Sequence, residues 1–207
     1  MLGRNGLSYR TMFSRAACTG LWRDRRAAAA LEFAFVVPIL IGLYFMTMET
    51  SQAIEANKKT GRIASMVADL VTQQQQITES EIDAIMKIGG AVIQPYNRTS
   101  PSIYVTGIEI TDEDTPKVKV AWSRKMVSGA TSDYLTAGST TTIPNELKVR
   151  GTFLIRGEAQ LDYKPVLTWN SEKKATIGLA AAFDKISMGE KYYLRPRMSQ
   201  KVSCIDC

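Results

Sequence analysis

The stretch that decides the fold is RRAAAALEFAFVVPILIGLYFMTMET, Arg25 to Thr50. From Ala27 to Met48, a run of 22 residues, only Glu32 and Thr47 interrupt the apolar character. A helix of about 20 such residues crosses the hydrocarbon core of a bilayer. The run is longer than the roughly 7–15 apolar residues of a cleaved secretory signal, and its small residues, AAAA at 27–30, stand at its start instead of at its end. Ahead of it lie Arg4, Arg10, Arg15, Arg23, Arg25 and Arg26 against Asp24 alone. A basic flank of this kind keeps residues 1–26 in the cytoplasm and sends residues 49–207 outside. It also accounts for part of the net charge of +6, so that charge is weak support for nucleic-acid binding.

Two residues in the run need a reason. A charged glutamate near the centre of a bilayer costs on the order of a few kcal/mol. Glu32 is about one turn from the basic flank, which relieves part of that cost. Pro38 removes one helical hydrogen bond, a loss that membrane helices tolerate. Taken singly, Glu32 is either an interfacial side chain reaching toward water or a polar group kept for a partner.

The whole string says more. A-A-A-A-L-E-F, then V-V-P, then an apolar run closing in M-E-T, resembles the N-terminal motif of TadE-like pseudopilins, minor components of the tight-adherence (Flp, type IV) pilus assembly system. The resemblance implies a cut between Ala27 and Ala28 by a membrane aspartyl prepilin peptidase. Glu32 then becomes the fifth residue of the mature chain, Phe33 the aromatic that follows it, Pro38 the family's proline and Glu49 the acid that closes the run. The family often has glycine where this chain has Ala27. Such a cut creates an amine one helical turn from Glu32, and a carboxylate there can neutralise it within one chain or between neighbours. Small residues at 27–30 allow close approach of membrane helices. More weakly, Y-K-P (163–165) and Y-Y-L-R-P-R (192–197), with a cysteine after them, are similar to the ends of TadE- and TadG-like proteins. The implied partners are other pilins and pseudopilins, the pilus assembly machinery, the prepilin peptidase and membrane lipid. The implied place is the bacterial inner membrane, crossed once, with the remainder periplasmic or carried outward in the pilus.

Beyond the run, SQAIEANKKTGRIASMVADLVTQQQQ reads as helix, with Ile54, Ile63, Met66, Val67, Leu70 and Val71 near one face. The QQQQ tract (73–76) ends it. Thr78 and Glu81 have capping-box spacing and start a second helix, which Gly89-Gly90 interrupts or bends and Pro95 stops. SIYVTGIEI (102–110) and KVKVAWSRKM (117–126) alternate and flank the turn DEDTP, as a hairpin does. Residues 128–142 are small and polar and read as a long surface loop. VRGTFLIRGEAQLDYKPVL (149–167) is a further strand run in which Gly157 marks a bulge. TIGLAAAFD (176–184) is an apolar segment or loop. ISMGEKYYLRPRMSQKVSC (186–204) holds one or two last strands with a bend at Met188-Gly189-Glu190. The expected fold is α+β: a basic leader (1–27), a transmembrane helix (28–48), a helical stem (49–95) and a small antiparallel β-rich head (96–207).

The residue inventory excludes much chemistry. There is no histidine, hence no histidine base, triad or metal ligand. The cysteines are Cys18, Cys204 and Cys207. C-I-D-C lacks the second pair that a zinc site of about four ligands needs, and in an oxidising compartment Cys204 and Cys207 form a disulfide or pair with other chains. Asp112, Glu113 and Asp114 read as a solvated turn, not a calcium loop. No phosphate-binding glycine loop or nucleophile elbow is present. Trp122, Trp169, Tyr192 and Tyr193 sit on strand patterns with mixed charges, and packing or an assembly face explains them better than base stacking. Arg195, Pro196 and Arg197 read as a charged edge strand. The sequence thus predicts a non-catalytic assembly protein without cofactor or metal. The alternative is an uncleaved, membrane-anchored periplasmic binding or sensing protein.

Overall fold

The computed structural model describes residues 25–165 and 186–207. Trp169, the segment 176–184 and Cys18 lie outside the described residues. By contacts the chain divides into two compact units, Met1–Met48 and Glu49–Cys207.

The first unit is described from Arg25 onward, and there it is helix. Helix α1 runs over Arg25–Thr72 with Pro38 inside it. From Ala29 to Met46 its apolar side chains are exposed apart from the half-buried Val37, and among the described residues it is the one helix long and apolar enough to cross a membrane.

The second unit is a helix-on-sheet domain. After α1 come β1 (Gln76–Ile77), α2 (Glu79–Ala91), β2 (Ser102–Ile110), β3 (Val118–Val127), β4 (Ala130–Asp133), a 3-10 turn (Asn145–Leu147), β5 (Phe153–Tyr163), β6 (Ile186–Leu194) and β7 (Ser203–Cys204). Five strands form an antiparallel sheet in the order β4-β3-β2-β5-β6. The β-rich head is therefore nearly all antiparallel. The exception is a short parallel pair, β1 with β7.

The helical spacing read in the sequence puts Ile63, Val67 and Val71 in the core, fully buried. Ile54, counted on the same stripe, is exposed, because nine residues before Ile63 it falls on the opposite side of the helix from the face that carries Ala53 and Ala56. The end of α1 at Thr72 agrees with the glutamine tract as its stop. The Thr78 capping box is complete, with Thr78 Oγ1 accepting from the Glu81 amide and the Glu81 carboxylate accepting from the Thr78 amide.

Gly89 and Gly90 neither interrupt nor end α2, which continues to Ala91. Gly89 is a contact point: an added Cβ would lie 2.6 Å from Val67 Cγ2. Gly157 marks no bulge either. It pairs regularly with Val105 and Tyr192, and a Cβ there would collide with the backbone oxygen of Ala64. Both glycines serve close helix packing, so absence of a side chain is what each site needs.

The bulge lies elsewhere. Between Gly107 and Ile108 of β2 the register with β3 jumps from Trp122 to Val120, leaving Ala121 unmatched. An extra residue reverses the alternation of faces. Trp122 and Met126 thereby join the helix-side core, while Val118 faces the other side with Ile108, Ile110 and Leu154. That second face is covered in part by Ile143 and Leu147.

The surface loop expected over 128–142 is partly strand. Residues 130–133 are β4, and beyond it the Gly138 amide donates to Val120 O while the Val120 amide donates to Ser139 O. Met188, Gly189 and Glu190 make no bend but pair in register with Leu161, Gln160 and Ala159 inside β6.

Candidate functional site

The residues that the family resemblance singles out occupy the first half of α1. Ala27, Ala28 and Glu32 are all within the helix, so Ala28 and Glu32 stand four residues apart, one turn along a single face. Glu32 and Pro38 are exposed, and Phe33 is 70% exposed. An apolar surface of this kind is far outside what water tolerates on a folded protein. Among the described residues, Leu31, Phe33, Phe35, Ile39 and Leu40 of this helix are all more than half exposed.

Glu49 opens the second unit, and here two sequence features meet. Tyr163, the first residue of Y-K-P, donates its hydroxyl hydrogen to Glu49 Oε1 at 2.5 Å. Burial pushes the Tyr163 hydroxyl up to about 12, the Glu49 carboxylate adds to the rise, and Arg98 opposes both. The Tyr163 ring stacks on Tyr96, with centroids 5.2 Å apart. The Tyr96 hydroxyl accepts from the Lys164 amide at 2.8 Å and lies 3.0 Å from Thr99 Oγ1, which donates to Asp162 O. Arg98 lies over the Tyr96 ring and donates to Lys164 O and to Gln52 Oε1. Every polar group in this web has a neighbour, as partly buried groups require. The end of β5 is thereby tied to the helix turn that follows Met48.

The remaining sequence candidates are at residues 203–207. Cys204 and Cys207 are joined by a disulfide, with Cα atoms 5.6 Å apart. Asp206 lies with them, and the ligand atoms of the three fall within 4.8 Å of one another. Both sulfurs are spent on the S–S bond, so the group offers no thiolate to a metal. Arg197 does not blunt a strand edge. Its guanidinium pairs with Asp69, and its amide donates to Thr72 O. Asp112 and Asp114 form the exposed turn expected of them, each paired with Arg150.

Sequence reasoning missed three groupings. Arg124, buried on β3, meets Glu79 and Asp83 of α2 and Asp133 of β4 at 2.7–3.1 Å. Burial alone would lower its pKa, but hydrogen bonds to Asp83 and Asp133 outweigh that and raise it. Arg156 and Glu158, both buried, pair at 2.8 Å, and Lys191 reaches Glu158 at 3.0 Å. Asp206 accepts from the Glu79 amide at 2.8 Å across 127 positions of sequence. The only sequence signal for the first two is a charge where strand alternation calls for an inward residue. The third has none.

Clefts open on the second unit among the described residues. One, of about 290 Å³, is lined by residues of the α2–β2 connection, and the other, of about 330 Å³, by Gln52, Lys59, Tyr96 and Arg98. Among the described residues, Glu55 is the one carboxylate that lines either of them.

Residues 27–69 match a family model described as TadE-like protein. No curated protein and no solved structure is significantly similar to the chain. The match lies wholly within α1 and runs from Ala27, through Glu32, Pro38 and Glu49, to the buried stripe of Ile63 and Val67. Over residues 27–69 the chain is similar to TadE-like proteins.

Proposed function

We propose that the protein is a minor pseudopilin that takes part in assembling a tight-adherence pilus, and that it has no catalytic activity of its own. The observation that carries this reading is the TadE-like match over a helix whose first half is exposed and apolar on every side. Residues 1–27 are the leader and stay cytoplasmic, residues 28–48 cross the inner membrane, and the stem (49–95) and head (96–207) lie outside. A prepilin peptidase cuts between Ala27 and Ala28. The new amine meets Glu32 of its own or a neighbouring helix, where opposite charges in an apolar medium attract strongly. Phe33 and the rest of the exposed helix pack against other pilins, pseudopilins and lipid. Gly42, whose position has no atom within 4 Å of an added Cβ, leaves a place for a second helix to approach closely.

The deciding measurement is the mass of the mature N-terminus in cells with and without the pilus peptidase. The expected chain begins at Ala28 only when the peptidase is present. An unprocessed chain in both cells overturns the cut and supports an uncleaved anchor. Glu32→Gln is expected to insert normally and to lose cross-links to the pilus components. Unchanged cross-linking removes Glu32 from assembly.

A further inference from the structure

The loop Cys204-Ile205-Asp206-Cys207 is held onto the start of α2 by contacts that do not belong to the sheet. The Trp122 indole donates to Val202 O at 2.9 Å, and Val202 is fully buried. Ser203 and Cys204 pair with Gln76 and Ile77, and the Ile205 amide donates to Ile77 O at 3.0 Å. Asp206 Oδ1 then accepts from the Glu79 amide at 2.8 Å. The first amides of a helix have no partner inside it, and a carboxylate placed there is favoured by the bond and by the helix dipole. Thr78 and Glu81 satisfy two amides locally, and Asp206 satisfies a third from far away in sequence.

The disulfide is what fixes Asp206. It closes a loop over a sequence separation of three, so the residues between its ends keep little freedom to lose on docking. The loop is also open to attack. Ile205 is 67% exposed, Cys207 is exposed and Cys204 is half-buried. A bond that positions a helix cap while remaining reachable from solvent makes the cap dependent on redox state.

We propose that Cys204–Cys207 is a thiol–disulfide exchange site, acted on by a dithiol oxidoreductase, and that its state sets how firmly the start of α2 is held. A thiolate of the dithiol attacks the exposed sulfur of Cys207. The Cys204–Cys207 bond breaks, a mixed disulfide forms on Cys207, and Cys204 leaves as a thiolate that takes a proton. The second thiol of the reductant attacks the mixed disulfide and releases Cys207. The chain gains two electrons and two protons, and the reductant becomes a disulfide. The freed Cys204 sulfur, 3.6 Å from Asp206 Oδ1, then competes with the Glu79 amide for that oxygen. The looser turn is the one that carries Glu79 and Asp83 to Arg124.

The test is amide hydrogen exchange on the full chain in detergent, oxidised and after dithiothreitol, with alkylation to count thiols. Reduction is expected to add two alkyl groups beyond those taken up without reductant. Exchange over residues 76–83 should rise by about 10-fold, the size of one lost helix cap, while β2 and β5 stay protected. Asp206→Ala is expected to give that loose turn with the disulfide intact and to make reduction silent there. The double variant Cys204→Ser, Cys207→Ser should match the reduced chain. Resistance to dithiothreitol, unchanged exchange on reduction, or loss of protection throughout the sheet would each overturn the proposal, the last by making the bond a general staple. None of these outcomes depends on processing at Ala28.

Discussion

The two halves of α1 are one helix in two environments. Before Met48, side chains such as Leu31, Phe33 and Ile39 are exposed around the whole circumference. After Glu49, Ile63, Ala64, Val67, Ala68 and Val71 are fully buried while Asn57, Lys58 and Arg62 on other faces stay exposed. The second half obeys the rule for a soluble amphipathic helix, one apolar stripe and a polar remainder. The first half obeys the rule for a membrane or assembly surface. Substitutions of the same kind should therefore have different consequences on the two sides of Met48.

The sharpest way to break that comparison is a matched pair. Ile63→Ala removes buried methyl groups from the centre of the core, and a loss of about 2–5 kcal/mol is expected for such a truncation. Ile39→Ala, made in the exposed half, should leave the stability of the second unit unchanged. Denaturant unfolding of the full chain in detergent, followed by backbone circular dichroism, measures both. Equal effects would mean that the two units unfold as one. Next in size is Gly157→Ala. The added methyl meets the backbone of Ala64 rather than the end of a flexible side chain, so α1 must move off β5. Overpacking of this kind costs about 1–3 kcal/mol, and a thermal melt within a degree of the native chain would show that the contact yields freely.

What was legible in the sequence follows from range. The span, the helix stop after Thr72, the capping box at Thr78 and the hairpin of β2 with β3 all arise from neighbours within a few turns or one tight connection. The features misread are those decided by a distant partner. Gly89 and Gly157 look like breakers until Val67 and Ala64 are seen against them. Ala121 looks like an ordinary strand residue, yet it is the bulge that divides Val118 from Trp122 between two cores. At the candidate site, Glu49 and Y-K-P were each visible, but a hydrogen bond across 114 positions leaves no pattern in a single sequence. Alternation even argues against Arg124, since its inward place is acceptable only with Glu79, Asp83 and Asp133 around it.

A smaller effect sharpens the boundary itself. Tyr163→Phe keeps the stacking on Tyr96 and deletes the bond to Glu49, at an expected cost of about 1–2 kcal/mol at neutral pH. The pH dependence provides a second reading. Tyr163 holds its proton up to about 12 in the folded chain against 10 in the unfolded one. Between those values the unfolded state binds fewer protons, so the stability that Tyr163 contributes is complete below pH 10 and is lost as pH rises toward 12. The difference in stability between the native chain and Tyr163→Phe should shrink over that window. A constant difference would mean that Glu49 and burial do not hold the proton.

The smallest effect tests the local against the distant at one helix end. Thr78 caps α2 through Glu81, three residues away, and both hydrogen bonds of the box are present. Loss of such a cap costs about 1 kcal/mol in most settings. At this terminus a third amide is already held by Asp206, and the first turn is pinned from the side by Arg124. Supports from outside the helix keep the turn in place when the local cap is removed, so Thr78→Ala should fall at or below that value. It should also leave the melting of β2 and β5 as cooperative as before. A loss well above 1 kcal/mol would show that the distant contacts depend on the local cap, and that the order of assembly runs from Thr78 outward.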